Sequence, residues 1–203
     1  MNEIKTKWSE VTIGQYQELT SIQTDNEVTL FIERLSILTD RDPAEIRALG
    51  LREFQDFQKK LAFLSENVSA EVVLKFELDG VRYGMIPDLN FITTGEWADI
   101  DNWKDDTVGN IHLICALIYR PVKRYVDNED YEIEPHRSQG FTKRADLFLN
   151  KLPITTVYGA VLFFSASGIQ FIEIIADFLE EEAKLAQKTT KTTRTRKASK
   201  KNK

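Results

Sequence analysis

The spacing of apolar residues along the chain changes period twice. Val28, Phe31, Ile32, Leu35 and Leu38 recur at steps of three and four, which predicts an amphipathic helix from Val28 to Leu38. Asp42-Pro43-Ala44-Glu45 predicts the start of another, with Asp as cap, Pro at the first helical position and Glu three beyond the cap. Gly50 breaks that short helix, and Leu51, Phe54, Phe57 or Gln58, Leu61 and Leu64 trace a further one. The segment 1–65 therefore reads as an N-terminal helical cluster.

The period then falls to two. Val72, Leu74, Phe76 and Leu78 alternate with Val73, Lys75, Glu77 and Asp79, and after Asp79-Gly80 the residues Val81, Tyr83 and Met85 alternate with Arg82, Gly84 and Ile86. Two alternating runs joined by Asp-Gly predict a β-hairpin on a type I′ turn, where both central residues need φ > 0. A lone hairpin is marginal in water, so it must lie on helices or find more strands. Helical spacing resumes over Glu96–Trp103, over Val108–Tyr119 up to Pro121, and over Phe141–Leu149 with Phe141, Ala145, Phe148 and Leu149 inward. The polar stretch Val126–Gly140, which holds Pro135, reads as a loop. The fold class expected is α+β, predominantly α-helical with one β-hairpin. Its second segment, 66–187, is a hairpin plus helical bundle packed with the first as one unit.

Two helix starts share the pattern Thr-x-Gly-[Gln/Glu]-aromatic: Thr12-Ile13-Gly14-Gln15-Tyr16 and Thr93-Thr94-Gly95-Glu96-Trp97. In each, Thr can cap the helix while the residue three places on reaches back to its amide, a capping box. A duplicated docking motif is the other reading. The twenty-one residues Leu152–Ile172 carry no charge, which is long enough to span a bilayer. Pro153, Thr155, Thr156 and the run Ser165-Ala166-Ser167-Gly168 instead favour core helices with a bend. Ile169–Ala186 is expected to be helical, ending in the solvated run Glu180-Glu181-Glu182.

Charge changes the picture at one end. The net charge is −5, yet Lys184–Lys203 holds nine Lys/Arg and no Asp/Glu, leaving 18 of the 27 basic residues against all 32 acidic ones, a net −14. An acidic body with a basic tail is the mark of a separate interaction segment. Past Gln187 the Thr/Lys/Arg/Ser composition cannot bury apolar area, so 188–203 reads as a disordered basic tail. Lys191, Arg194, Arg196, Lys197, Lys200 and Lys201 within it suit nucleic acid or an acidic partner. The body should repel nucleic acid.

Candidate chemistry is sparse. The lone Cys115 excludes an internal disulfide and fits a reducing compartment, and Met1–Lys5 has no readable signal peptide. His112 and Cys115 are three apart on a helix, but a closed zinc site needs four ligands and only His136 could join them as a nitrogen donor. A buried Cys on an apolar helix is the plainer reading, and it leaves the thiol inert. No glycine-rich phosphate loop is present. Neither a catalytic residue, a cofactor site nor a metal site is therefore assigned. Arg and Tyr are favoured interface anchors, which makes Tyr119, Arg120, Tyr125, Arg137 and Arg144 interface candidates, together with Tyr16 and Trp97 of the two cap motifs. Arg120 could equally bond the last helix carbonyls or pair with a nearby carboxylate.

In the order of these features the chain resembles a loose family of small tailed-bacteriophage proteins, the tail-assembly chaperones and virion-morphogenesis proteins. The resemblance rests on Trp8-Ser9-Glu10-Val11-Thr12-Ile13-Gly14-Gln15-Tyr16, Leu35–Thr39 before Asp42–Ile46, the Asp79-Gly80 hairpin, Ile92–Trp97, Ile118-Tyr119-Arg120-Pro121 and Leu162–Ser165. It implies a non-enzymatic protein of the host cytoplasm or the virion. Such a protein binds a phage structural protein, such as the tape measure or another tail component, and keeps it soluble. The alternative is a nucleic-acid-associated accessory protein acting through the basic tail. Ending the chain at Gln187 is expected to move Tm by no more than about 1–2 °C, because charged surface residues away from a core contribute little. A thermal melt checks this, and a larger drop would place the tail in the fold.

Overall fold

The computed structural model describes residues 4–86, 92–126, 130–136 and 140–164. The chain divides into two compact units, Met1–Phe163 and Phe164–Lys203, and the first holds the sheet and the helices packed on it. The bend at Ser165–Gly168, the helix expected over Ile169–Ala186 and the basic tail lie outside the described residues, as does Arg137.

Helices α1 (Ile13–Ser21), α2 (Glu27–Thr39), α3 (Pro43–Arg47) and α4 (Leu51–Lys60) form the N-terminal cluster. Their starts follow the sequence closely. Asn26 caps α2 through Thr29 N–H and Asp42 caps α3 through Ala44 N–H, with Pro43 in the first turn. Both expected capping boxes form, Thr12 with Gln15 on α1 and Thr93 with Glu96 on α5 (Thr94–Trp103). The helix read from Leu51 to Leu64 is different. It ends at Lys60 and tightens into a 3₁₀ turn, Leu61–Ser65. That turn carries Leu61 and Phe63 inward, while Leu51 stays 74% exposed. A three-residue turn rotates side chains faster than the 3.6 spacing, which is why Phe63 falls outside the helical pattern.

The hairpin forms from β1 (Lys75–Leu78) and β2 (Val81–Met85), with Leu78 opposite Val81. Asp79 has φ 49° and Gly80 φ 74°, the left-handed pair that a type I′ turn requires. It gains more strands. Helix α6 (Ile111–Ile118) runs directly into β3 (Tyr119–Tyr125), and β4 (Tyr131–Ile133) returns beside it, giving an antiparallel sheet in the order β1-β2-β3-β4. The expected Val126–Gly140 loop thus contains a strand, and the α+β chain holds two hairpins. Two features mask the second one. Pro121 interrupts the strand pattern, and a register shift between Val122 and Arg124 breaks the alternation.

Tyr131 braces the sheet from its outer face. Its ring lies where a Cβ on Gly84 would be, 2.2 Å from Tyr131 Cε2, and its hydroxyl donates to Met85 O at 2.7 Å. On the inner face Phe76 and Tyr83 pack edge-on against Phe148 of α7 (Phe141–Lys151), with centroids 5.7 and 5.0 Å away. Beneath them lies α6, six of whose eight residues are buried, as expected of a helix apolar on every side. A further helix, α8, occupies 154–164. An antiparallel bridge between Thr12 and Pro153 ties the first helical segment to the α7–α8 junction, with Ile13 N–H donating to Leu152 O and Ile154 N–H to Val11 O. Among the described residues no helix is long and apolar enough to cross a membrane.

Gly80→Val is expected to lower stability by about 1–2 kcal/mol, since a left-handed conformation is costly for any side chain and worst for a β-branched one. Urea titration measures it, and an unchanged midpoint would contradict the turn assignment.

Candidate functional site

The sequence-selected Arg and Tyr residues separate into two groups, one inside and one on the surface. Arg120, Arg144 and Tyr119 are inside, with exposures of 6%, 5% and 0%. They are there because α6 ends in the core. Tyr119 N–H closes on Cys115 O, but the next carbonyls have no intrahelical donor. Ala116 O accepts from both Nε and Nη2 of Arg144, at 3.0 and 2.9 Å. Leu117 O accepts from Arg120 Nε at 2.8 Å, and Ile118 O from Ile86 N–H at 2.9 Å.

Arg120 has two further bonds. The register Val122↔Ile133 sets Pro121 opposite Glu134, and Glu134 N–H donates to Pro121 O at 3.0 Å. Proline has no N–H to return, and Arg120 Nη1 donates to Glu134 O instead, at 3.3 Å. Arg120 Nη2 donates to Glu96 Oε1, forming an ion pair whose side chains are 7% and 2% exposed. Glu96 Oε2 meanwhile accepts Thr93 N–H at 2.6 Å, completing the α5 capping box. Burial alone would raise the Glu96 carboxyl. The Thr93 hydrogen bonds and the Arg120 charge outweigh it and hold the group below its ordinary value. Both roles open to Arg120 in the sequence, carbonyl cap and carboxylate partner, are filled at once. Neither arginine offers a surface to a partner. Tyr119 donates its hydroxyl to Val73 O at 2.6 Å.

The remaining candidates are more accessible. Tyr125 is 43% exposed on the outer sheet, with Lys75 Nζ and the Arg82 guanidinium each 5.7 Å from its ring centroid. Trp97 is half-buried on α5. Cys115 is fully buried, which raises its thiol well above the ordinary value. His112 Nδ1 meets Gln17 Nε2 at 3.2 Å. Among the described residues no three His, Cys, Asp or Glu side chains are placed to hold a metal.

Tyr16 belongs to an arrangement that the sequence does not announce. Trp8, in the 3₁₀ turn Trp8–Glu10, donates Nε1–H to Glu66 O at 2.9 Å and stands edge-on to Phe63 and Tyr16, at 5.3 and 5.9 Å. Tyr16 stands edge-on to Tyr158 of α8, also at 5.9 Å. Trp8, Tyr16 and Tyr158, with Leu19, Thr20, Leu64, Asn67 and Val68, wall an open cleft of about 250 Å³ that Arg34 and Glu66 also line. Burial, and then the neighbouring Tyr158, push the Tyr16 phenol up to about 12, so it is neutral at physiological pH and acts as a ring face and a hydroxyl rather than as a nucleophile. Four separate segments build this wall. Only the Trp8–Tyr16 run, with two aromatics eight residues apart beside a cap, hints at it in the sequence. Compared with family models, with curated proteins and with solved structures, the chain matches none.

Glu96→Gln keeps a cap acceptor but leaves Arg120 without its anion, and is expected to cost about 3–5 kcal/mol. The folded Glu96 carboxyl lies below its ordinary 4.5. Its contribution is therefore fully present above that pH and is lost as pH falls through the folded value. Urea midpoints at neutral and acid pH should show a shallower acid decline in Glu96→Gln than in the unaltered chain. Parallel declines would refute this role for the pair.

Proposed function

We propose that the chain is a non-enzymatic assembly protein of the tail-assembly-chaperone or virion-morphogenesis type, acting in the host cytoplasm and holding a phage structural protein through the aromatic cleft. The observation that carries the reading is the cleft itself. Trp8, Tyr16 and Tyr158 converge on one concavity, and aromatic rings in a pocket are the groups that dominate protein–protein binding energy. The volume, about 250 Å³, is small for a cofactor site and suits one or two side chains of another protein. The order of sequence features supplies the family. Glu96 is tied to Arg120 and to the α5 cap, and Cys115 is held protonated in the core.

The basic tail favours a second reading, an accessory role on nucleic acid with affinity falling steeply as salt rises. Co-expression with a tape-measure-type tail protein separates the two. The chaperone reading expects the partner to become soluble and to co-elute with the chain, also when the chain ends at Gln187, and Tyr16→Ala to weaken the complex by about tenfold or more. A partner that stays insoluble, with nucleic-acid binding lost on truncation, would overturn it.

A further inference from the structure

We infer that the cleft selects an acidic–apolar peptide segment, taking an aromatic or aliphatic side chain against Tyr16, Trp8 and Tyr158 and a carboxylate on Arg34. This rests on the reading of the cleft as a protein-binding site and adds the chemistry of what it binds. The observation behind it is the state of Arg34. This residue projects from α2, is half-buried and lines the cleft, yet it makes no ion pair or hydrogen bond with any other described residue.

Arg120 and Arg144 are inside and have their donors taken up by carbonyls and by Glu96, while Arg82 and Arg124 are exposed and face Glu77 and Glu132. Arg41, Arg47 and Arg52 share with Arg34 the lack of an ion pair among the described residues, and Arg34 differs from them in lining the aromatic cleft. A guanidinium keeps its charge at any physiological pH and presents a planar fork of donors that fits a carboxylate. Half-buried in a concave wall, it is less screened than an arginine in open water. Glu66 also lines the cleft, but it is exposed and therefore more strongly screened than the half-buried Arg34. The cation is thus the less screened charge of the cleft, and a ligand with a carboxylate next to an apolar side chain satisfies it and the rings. The rest of the body, with its excess of acidic residues, repels such a segment, so outside the basic tail the cleft is the place that favours it.

The test reads peptide preference on a chain ending at Gln187, whose melting curve must match that of the full chain, so that the basic tail cannot itself hold acidic peptides. Two fluorescently labelled, end-blocked peptides are used, one with Phe flanked by Glu on both sides and one with Gln in place of each Glu. Fluorescence polarisation at low salt is expected to show the acidic peptide binding about threefold to fivefold more tightly, the range for a partly solvated ion pair. Arg34→Gln should bind the two peptides equally, and Arg34→Lys should keep part of the preference, with melting curves confirming that both variants fold. Equal binding of the two peptides by the chain with Arg34 intact, no binding of either, or a preference that survives in Arg34→Gln each overturns the inference. A tail protein that co-elutes with the chain in the absence of any peptide preference would reject this specificity while leaving the assembly reading standing. Peptide preference without retention of a tail protein would do the reverse.

Discussion

The C-terminal end of α6 lies inside the protein, and much of the architecture depends on that. A helix ending in solvent leaves its last carbonyls to water, but one ending in a core must find donors for them, at a cost of roughly 1–3 kcal/mol for each left bare. The donors here come from three places: the backbone just past β2 through Ile86, the strand that α6 itself becomes through Arg120, and α7 through Arg144. Each donor brings its element into the core with it. Arg120 takes an anion inside with it: the capping glutamate of α5 is buried with its second oxygen on that guanidinium. Helix end, sheet and capping box are one connected polar network, in which loss of any member exposes the others to desolvation without compensation.

That network also explains what could and could not be read from the chain. Local chemistry was legible: the Asp79-Gly80 turn, the caps at Thr12, Asp42 and Thr93, and the break at Gly50 all depend on residues within four positions of one another. Arg120 was legible in kind, because an arginine between an apolar helix and a proline has few other uses. Its partner Glu96 is 24 residues away and could not be named from spacing. The second hairpin was hidden by Pro121, whose missing N–H is replaced by a side chain from the neighbouring residue. The composition rule that favours Tyr and Arg at interfaces cannot tell a surface arginine from one recruited to a buried helix end, so Arg144 and Tyr16 looked alike. The cleft is assembled from residues 8, 16, 34 and 158, and no window of sequence contains it.

The two uses of aromatic residues are separated in space. Phe76, Tyr83, Tyr119 and Phe148 fill the layer between sheet and helices with centroids 5.0 to 5.7 Å apart, Phe76 stacked on Tyr83 and both edge-on to Phe148. Trp8, Tyr16 and Tyr158 meet edge-on at the surface, where one side of the cluster opens into the cleft. A rigid aromatic wall loses little side-chain freedom when something docks on it. The fold therefore presents this face already organised.

The bridge between Thr12 and Pro153 has a consequence for how the protein is made. Thr12 leaves the ribosome 141 residues ahead of its strand partner, a delay of roughly 7–28 s at ~5–20 residues per second. Over that interval Val11, Ile13 and the ring of Tyr16 have no C-terminal surface to close on, because Leu152, Ile154 and Tyr158 have not been synthesised. The N-terminal helices can form but cannot seal. Completion of this unit waits for nearly its whole length, so a ribosome that stalls short of residue 152 leaves those side chains uncovered to whatever else is in reach.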